Sequence, residues 1–209
     1  MKPLLFLPSP RDIPQVIESV SKLKIDKLWV KYHPQQEAYD VGRQLFLDTD
    51  YTHLIIHPDD LLVKQKDINN LVRDCTRLPE IVVSGYCNCT AGATDWEDSN
   101  ISAILPPDPP YLGTYDGFQF TKLADLKKIK DIMIEIKFSG FALTAIPRKI
   151  VEGIPFRTSG GCCVDSCFSL DLAERGIKQY LDTRVFTTHM RTKFDILQVG
   201  KKEKQVIWQ

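Results

Sequence analysis

Short apolar runs alternate with amphipathic segments through the first 86 residues of this 209-residue chain. Four runs have the length and apolar character of buried strands: Leu4 to Leu7, Leu28 to Val30, Leu54 to Ile56 and Ile81 to Val83. The segments between them show the i, i+3, i+4 spacing of helices that bury one face. Strands that alternate with helices in this way predict βαβ units, and therefore an α/β fold with a mostly parallel central sheet flanked by helices. Asp12 is the predicted N-cap of the first helix.

The third predicted strand ends in a cluster of polar side chains. His57 follows Ile56 directly, and Asp59 and Asp60 come after a proline that has no N–H to donate to a strand ladder. In open α/β sheets, ligands bind outside the carboxyl ends of the strands. Imidazole and carboxylate ligands in that position suit a divalent cation and the phosphates it accompanies. The alternative is a polar loop in which Asp60 caps the next element.

The regular alternation stops after the fourth strand. Residues 87 to 117 are rich in proline and glycine and have few periodic apolar positions, so they are predicted to form a functional loop or lid, or else a surface excursion. Residues 123 to 136 have the pattern of a helix that runs into a strand. Residues 138 to 148 predict a strand ended by Pro147 and then a short helix. Arg148 either contacts a phosphate or simply starts that helix.

Two more candidate polar residues, Asp165 and His189, lie in the C-terminal half of the chain. Asp165 lies at or just inside the predicted N-terminus of a later helix, where the macrodipole favours an ionised carboxylate, and Gly176 is placed to end it. Two short strands follow, and His189 stands at the end of the second. The tail from 193 to 209 is predicted to be peripheral.

The composition shows no marked charge preference. Lysine plus arginine and aspartate plus glutamate each number 27, and the pI is about 6.9. Balanced charge disfavours a nucleic-acid binder, which would carry a basic excess. No apolar run approaches the ~18 residues that a membrane-spanning helix needs, and the N-terminus lacks a signal-peptide pattern. We therefore expect a cytoplasmic protein with reduced cysteines, no membrane span and no nucleic-acid partner.

Taken together, these motifs resemble the GT-A glycosyltransferases, which use nucleotide sugars. His57-Pro58-Asp59 stands where that family has an Asp-x-Asp motif at the end of a strand. The stretch from Ser139 to Lys149 is similar to its glycine-containing strand followed by a basic residue and a short helix. Val164 to Phe168 with Gly176, and then Val185 to His189, resemble its acidic residue at the start of a helix and its strand that ends in histidine.

The resemblance implies one GT-A, Rossmann-like domain over residues 1–209, with a smaller antiparallel element in the C-terminal half. Within it, 1–86 would be the nucleotide-binding half, 87–137 a long loop and connecting segment, 138–192 the acceptor and catalytic half, and 193–209 a C-terminal tail.

The resemblance also implies roles for individual residues. Asp165 would be the general base on the acceptor hydroxyl. A divalent ion, Mn²⁺ or Mg²⁺, would bridge the donor diphosphate, and its ligands would be His57, Asp59 and His189. The residues expected to bind the nucleotide sugar are Pro8, Ser9, Arg11, Asp59 and Gly140. His57 departs from the acidic residue of the family and adds no negative charge, for which Asp60 could compensate.

The function implied is transfer of a sugar from a nucleoside-diphosphate sugar to a hydroxyl of an unknown glycan, lipid or protein acceptor. One alternative is a nucleotidyltransferase or phosphohydrolase. A nucleotidyltransferase should have a glycine-rich loop with a basic residue after the first strand, and Pro8 to Arg11 contains no glycine. The other alternative, encouraged by His57, is a non-catalytic nucleotide-binding module of the same fold.

Overall fold

The computed structural model describes residues 1–89, 98–102, 120–159, 163–190 and 198–209. The strands are β1 (Pro3–Ser9), β2 (Lys27–Lys31), β3 (His53–Ile56), β4 (Leu61–Leu62), β5 (Val82–Cys89), β6 (Asp98–Ser102), β7 (Phe120–Lys122), β8 (Met133–Ile136), β9 (Phe138–Ser139), β10 (Thr144–Pro147), β11 (Gln179–His189) and β12 (Gln205–Trp208). The helices are α1 (Pro14–Ser21), α2 (Gln35–Leu47), α3 (Gln65–Arg77), α4 (Leu123–Leu126), α5 (Arg148–Gly153) and α6 (Val164–Glu174). Each helix within these ranges is too short or too polar to cross a bilayer.

The central sheet has the strand order β12-β2-β1-β3-β10-β5-β11-β4. β1 is parallel to β2 and β3, and β5 is parallel to β11. β10 lies between β3 and β5 and is antiparallel to both. Since β3 and β5 are both antiparallel to β10, they run in the same direction as each other. The strands β1, β2, β3, β5 and β11 therefore all run the same way, and their carboxyl ends lie at one edge of the sheet. The predicted mostly parallel sheet flanked by helices is confirmed.

The smaller antiparallel element is also present. Its centre is β6, which pairs in antiparallel fashion with β5, β7 and β9. The pairing of β6 with β9 sets Ile101 opposite Ser139 and therefore brings residue 100 beside residue 140. This contact joins two segments about forty residues apart in the chain and places Asn100 next to Gly140.

Two apolar layers cover the two faces of the sheet. Along β1, Leu4 and Phe6 point into the layer formed with α2, α5 and α6, whereas Leu5 and Leu7 point into the layer formed with α1 and α3. All four side chains are fully buried, as expected for a strand covered on both faces. α2 packs closely on β1, since a Cβ added at Gly42 would lie 2.2 Å from the Phe6 ring. The strands that lead to this edge are thus packed on both faces.

Four local predictions need correction. The single strand expected before Pro147 is two strands, β9 and β10, which pair with different neighbours. Ile13, not Asp12, is the N-cap of α1, because Asp12 accepts a hydrogen bond from Tyr32 Oη at 2.7 Å and pairs with two lysines instead. The two short strands expected before His189 form a single strand, β11, with a register shift inside it. Part of the segment from 87 to 117 is regular, in β5 and β6, while its remaining positions, 90–97 and 103–117, lie outside the described residues.

Candidate active site

A cavity of about 670 Å³ opens at the edge where the parallel strands end. Loops that follow β1, β2 and β3 line it, together with the starts of α2 and α6 and the end of β11. Six residues that the sequence singled out contribute to its walls: Pro8, Arg11, Asp59, Gly140, Asp165 and His189. The other two, Ser9 and His57, are buried and are not part of the lining.

Arg11 connects the two aspartates that follow β3. Its Nε and Nη2 donate to the two carboxylate oxygens of Asp59, at 2.9 and 3.2 Å, and Nη2 also donates to Asp60 Oδ2 at 2.7 Å. On the other side, His189 Nε2 lies 3.1 Å from the same Asp60 oxygen. These four side chains form a continuous polar cluster, which we call the Arg11–His189 cluster.

Strand pairing explains why these residues meet. β1 and β3 are parallel neighbours, so the segments that follow them, with Arg11 and Asp59, emerge side by side. After the turn at Asp60 the chain enters β4, where Leu61 pairs with His189 of β11. The Asp60 carbonyl also accepts the Met190 N–H at 2.7 Å, which fixes this turn against the end of β11.

The two aspartates of the cluster differ in acidity. Burial raises the pKa of Asp59 to about 7, since the attraction of Arg11 offsets only part of the desolvation and Asp60 adds repulsion. Burial acts on Asp60 as well, but hydrogen bonds from His189 and the charge of Arg11 outweigh it and lower its pKa. At neutral pH Asp60 is therefore the firmly ionised member, and Asp59 is the one close to its titration point.

His57 is separated from this cluster. Its side chain is fully buried, and Nδ1–H donates to the Pro58 carbonyl at 2.6 Å. Burial lowers the pKa of the imidazole to about 4, so the ring is neutral. The predicted metal ligand His57 is thus not brought to the cavity that Asp59 and His189 share.

Asp165 enters the cavity from the first turn of α6. Its Oδ1 accepts two hydrogen bonds, from Cys163 Sγ at 2.6 Å and from the Ser166 N–H at 2.8 Å. Its Oδ2 lies toward Gly140, where an added Cβ would come within 3.2 Å of it. Burial raises the pKa of this carboxyl despite the hydrogen bonds. The macrodipole favours the ionised form of Asp165, but desolvation outweighs it, so the pKa is raised and not lowered.

Arg148 has a structural role away from the cavity. Its guanidinium donates to the carbonyls of Phe46, Leu47, Thr49 and Tyr51, at distances of 2.5 to 3.2 Å. These carbonyls belong to the end of α2 and the loop after it, which need hydrogen-bond donors. Arg148 is the first residue of α5 and does not line the cavity, so it starts a helix, as one of the two interpretations had it, and is not placed to contact a phosphate there.

Among the lining residues that were not assigned to the site from sequence are His33, Tyr39 and Asn100. His33 lines the cavity, with Nδ1 3.0 Å from Glu37 Oε1. Tyr39 is buried in the wall, and its pKa is raised by burial and by the nearby charges of Asp165 and Asp59. Asn100 comes from the irregular central segment. Only the spacing of His33 and Glu37, four residues apart across a helix start, offered a signal in the sequence.

The C-terminal segment takes part in the cavity, although it was expected to be peripheral. Val199 lines the cavity, and the Gln198 N–H donates to the Pro10 carbonyl at 2.8 Å. Lys202 pairs with Asp12 at 2.9 Å. Lys204 donates to both carboxylate oxygens of Glu37 at 2.6 Å, and β12 pairs with β2. This segment therefore fastens the loops that follow β1 and β2.

The cavity offers a divalent cation two donors rather than a complete cage. In the described part of the chain, no three His, Cys, Asp or Glu side chains converge in a way that could hold a metal. Asp60 and His189 do lie with O and N 3.1 Å apart, close to the ~3 Å between adjacent ligands of one octahedral ion with bonds of ~2.1 Å. A Mg²⁺-type ion commonly uses one or two protein ligands together with substrate phosphates, so this pair fits such an ion.

No protein-family model matches the sequence, and no curated protein resembles it significantly. Solved structures do share the fold. A197 from STIV is 17% identical with a TM-score of 0.61, and the match covers 87% of this chain and 81% of that one. CMP:2-keto-3-deoxy-manno-octonic acid synthetase complexed with CTP is 13% identical with a TM-score of 0.51, over 93% of both chains. GalNAc-T7 with UDP, GalNAc and Mn²⁺ is 11% identical with a TM-score of 0.59, over 91% of this chain and 44% of that one.

At these identities the likeness shows the fold alone. The chain has a Rossmann-like α/β fold, which it shares with the synthetase complexed with CTP and with GalNAc-T7 bound to UDP, GalNAc and Mn²⁺.

Proposed function

We propose that this protein is a glycosyltransferase that takes a sugar from a nucleoside-diphosphate sugar, with Asp165 as the general base. One observation carries the proposal: a buried carboxyl with a raised pKa faces the same cavity as the Arg11–His189 cluster, at the carboxyl edge of the sheet. That edge is where open α/β sheets bind their ligands. The shared fold of the solved structures supports a nucleotide sugar as the ligand.

The charge of the cavity favours a metal-dependent donor. A nucleoside diphosphate is anionic, and among the described lining residues Asp59, Asp60 and Asp165 are acidic while Arg11 is the single lysine or arginine. Asp60 and His189 would hold Mn²⁺ or Mg²⁺ here, with Asp59 beside them. Such an ion, when bound, neutralises the charge of the diphosphate leaving group. Arg11, already held by two carboxylates, contributes a fixed positive charge at the same place.

Asp165 has the arrangement a general base needs. The hydrogen bonds from Cys163 and Ser166 both go to Oδ1 and hold the carboxylate in one orientation, with Oδ2 toward Gly140. A base is most effective when its pKa lies near the working pH, and burial moves the pKa of Asp165 in that direction. In the proposed step, Asp165 accepts the proton of the acceptor hydroxyl while that oxygen bonds to the sugar and the diphosphate leaves.

The acceptor class stays open among glycans, lipids and proteins. The division of the chain into a nucleotide-binding half and an acceptor half also remains a prediction, as does a cytoplasmic location.

Calorimetry with UDP and GDP, each with and without Mn²⁺, tests the binding part of the proposal. We expect one nucleotide to bind, and more tightly with the metal. The absence of binding to either would contradict the proposal, whereas nucleotide binding without any donor turnover would favour the non-catalytic nucleotide-binding module. Release of pyrophosphate from CTP in the presence of a sugar acid would instead indicate nucleotidyl transfer.

Donor turnover tests the catalytic part. Release of UDP or GDP is followed with UDP-glucose, UDP-galactose, UDP-N-acetylglucosamine and GDP-mannose, with water as the acceptor. Asp165→Asn keeps the shape and the Oδ1 contacts, so it should lower turnover by about 10²–10⁴ while nucleotide affinity is retained. Asp171→Asn is the matched control, since Asp171 is a buried aspartate of the same helix that pairs with Arg157 and not with the cavity. Full turnover by Asp165→Asn would refute the assignment of the base.

A further inference from the structure

Asn100 is a buried cavity residue held in one orientation by the antiparallel element. Its side chain is 4% exposed, and its Oδ1 accepts the Cys87 N–H at 2.8 Å. Its backbone carbonyl accepts the Gly140 N–H at 3.0 Å. Because Cys87 N–H must face an oxygen, the amide group of Asn100 is turned so that Nδ2 is on the opposite side.

The Nδ2 group has no hydrogen-bond partner among the described residues. An amide group that is buried without a partner has lost its hydrogen bonds to water without replacement, which is unfavourable unless a ligand supplies a partner. Asn100 lines the same cavity as Asp165. A Cβ at Gly140 would lie 3.2 Å from Asp165 Oδ2 and 3.4 Å from Asn100 Cβ. The missing side chain at residue 140 thus leaves a small space between the Asp165 carboxylate and the Asn100 side chain.

We propose that Asn100 Nδ2 donates a hydrogen bond to a hydroxyl of the donor sugar, in the space beside Gly140. This inference rests on the proposed function and names the residue that recognises the sugar. A neutral amide donor next to a carboxylate suits a neutral group bearing hydroxyls, each of which both donates and accepts. The phosphates, by contrast, need the positive charge at Arg11. The ribose of the nucleotide also bears hydroxyls, but the proposed base Asp165 acts where the sugar reacts, so a donor beside Asp165 would meet the sugar.

The test compares a nucleotide with its own sugar conjugate in one variant. Asn100→Asp keeps the oxygen that accepts Cys87 N–H and loses the donor group. The donor that the wild type turns over fastest is used, together with its free nucleotide. We expect the Kd of the sugar nucleotide to rise about five- to tenfold, as for the loss of one hydrogen bond, and the Kd of the free nucleotide to stay within twofold.

A second variant acts on the space rather than on the donor. Gly140→Ala should weaken the binding of the sugar nucleotide and leave that of the free nucleotide unchanged, because the added methyl group fills the space. The backbone of Gly140 is outside the left-handed region, so alanine is tolerated there without strain. Ser139→Ala, a buried neighbour outside the cavity lining, is the matched control and should change neither affinity. Thermal unfolding of each variant verifies that it is folded.

If Asn100→Asp lowers the affinity for both ligands equally, or for neither, the inference is overturned. Nucleotide binding by the wild type would then still support the proposed function. If the wild type binds neither UDP nor GDP, the proposed function fails first and this inference falls with it.

Discussion

Removing the charge of Arg11 should destabilise the fold in a strongly pH-dependent way. Arg11→Met leaves the carboxylates of Asp59 and Asp60, with side chains only 9% and 19% exposed, next to each other without their shared cation. Breaking a buried ion pair by removing one partner costs about 3–5 kcal/mol. For a chain of this length that corresponds to a decrease in Tm of about 6–20 °C.

The pH dependence follows from the raised pKa of Asp59. A carboxyl whose pKa rises on folding, here to about 7 from an ordinary 3.8, contributes stability at low pH that is lost as the pH rises through 7. At pH 5.5 Asp59 is mostly protonated, and Arg11 then balances mainly Asp60. The difference in unfolding free energy between the wild type and Arg11→Met should therefore be clearly smaller at pH 5.5 than at pH 8.

Urea unfolding at both pH values measures this difference. Asp59→Asn and the double variant complete a double-mutant cycle, in which we expect a coupling of about 0.5–3 kcal/mol at pH 8. Arg11→Lys, which keeps a charge but not the two-pronged contact, should lie between the wild type and Arg11→Met. Equal destabilisation at both pH values together with additive effects in the cycle would refute the argument.

Three further variants probe other parts of the structure. Arg148→Met should lower the unfolding free energy by about 2–3 kcal/mol, because several carbonyls at the end of α2 lose a charged donor, and calorimetry should find nucleotide affinity unchanged. Cys163→Ala removes a donor to the ionised form of Asp165, so the pKa of that carboxyl should rise and the acid limb of the kcat/KM profile should move to higher pH. An unmoved limb would count against Asp165 as the base. Gly42→Ala should cost about 1–3 kcal/mol in urea unfolding by forcing the Phe6 ring to shift, with turnover per folded molecule unaffected.

The alternation of strands and helices was predictable because each element carries its own periodicity. The strand-edge rule also sufficed to bring Asp59, Asp165 and His189 to one cavity, since each follows a strand or starts a helix at the same edge. The reversed direction of β10 was not predictable, because the apolar pattern of a short strand is the same in either direction.

The contacts that decide the chemistry depend on pairing between distant segments. Asn100 reaches the cavity only because β6 pairs with β9, and the sequence around Asn100 shows no periodicity that would reveal a strand. The ion pair between Arg11 and Asp59 likewise depends on the paths of the two loops that follow the parallel strands β1 and β3. The burial of His57 is set by the side of the loop on which its ring packs, and a motif of the form His-Pro-Asp says nothing about that.

The attachment of residues 198–209 has a practical consequence for anyone shortening or tagging this protein. Gln209 and Lys27 exchange backbone hydrogen bonds at 2.7 and 3.0 Å, so any residue joined after Gln209 begins directly against β2. Deleting the segment would leave β2 as an open strand edge, and such an edge invites pairing with another molecule. A shortened protein should therefore be examined for aggregation before any loss of activity is assigned to its chemistry.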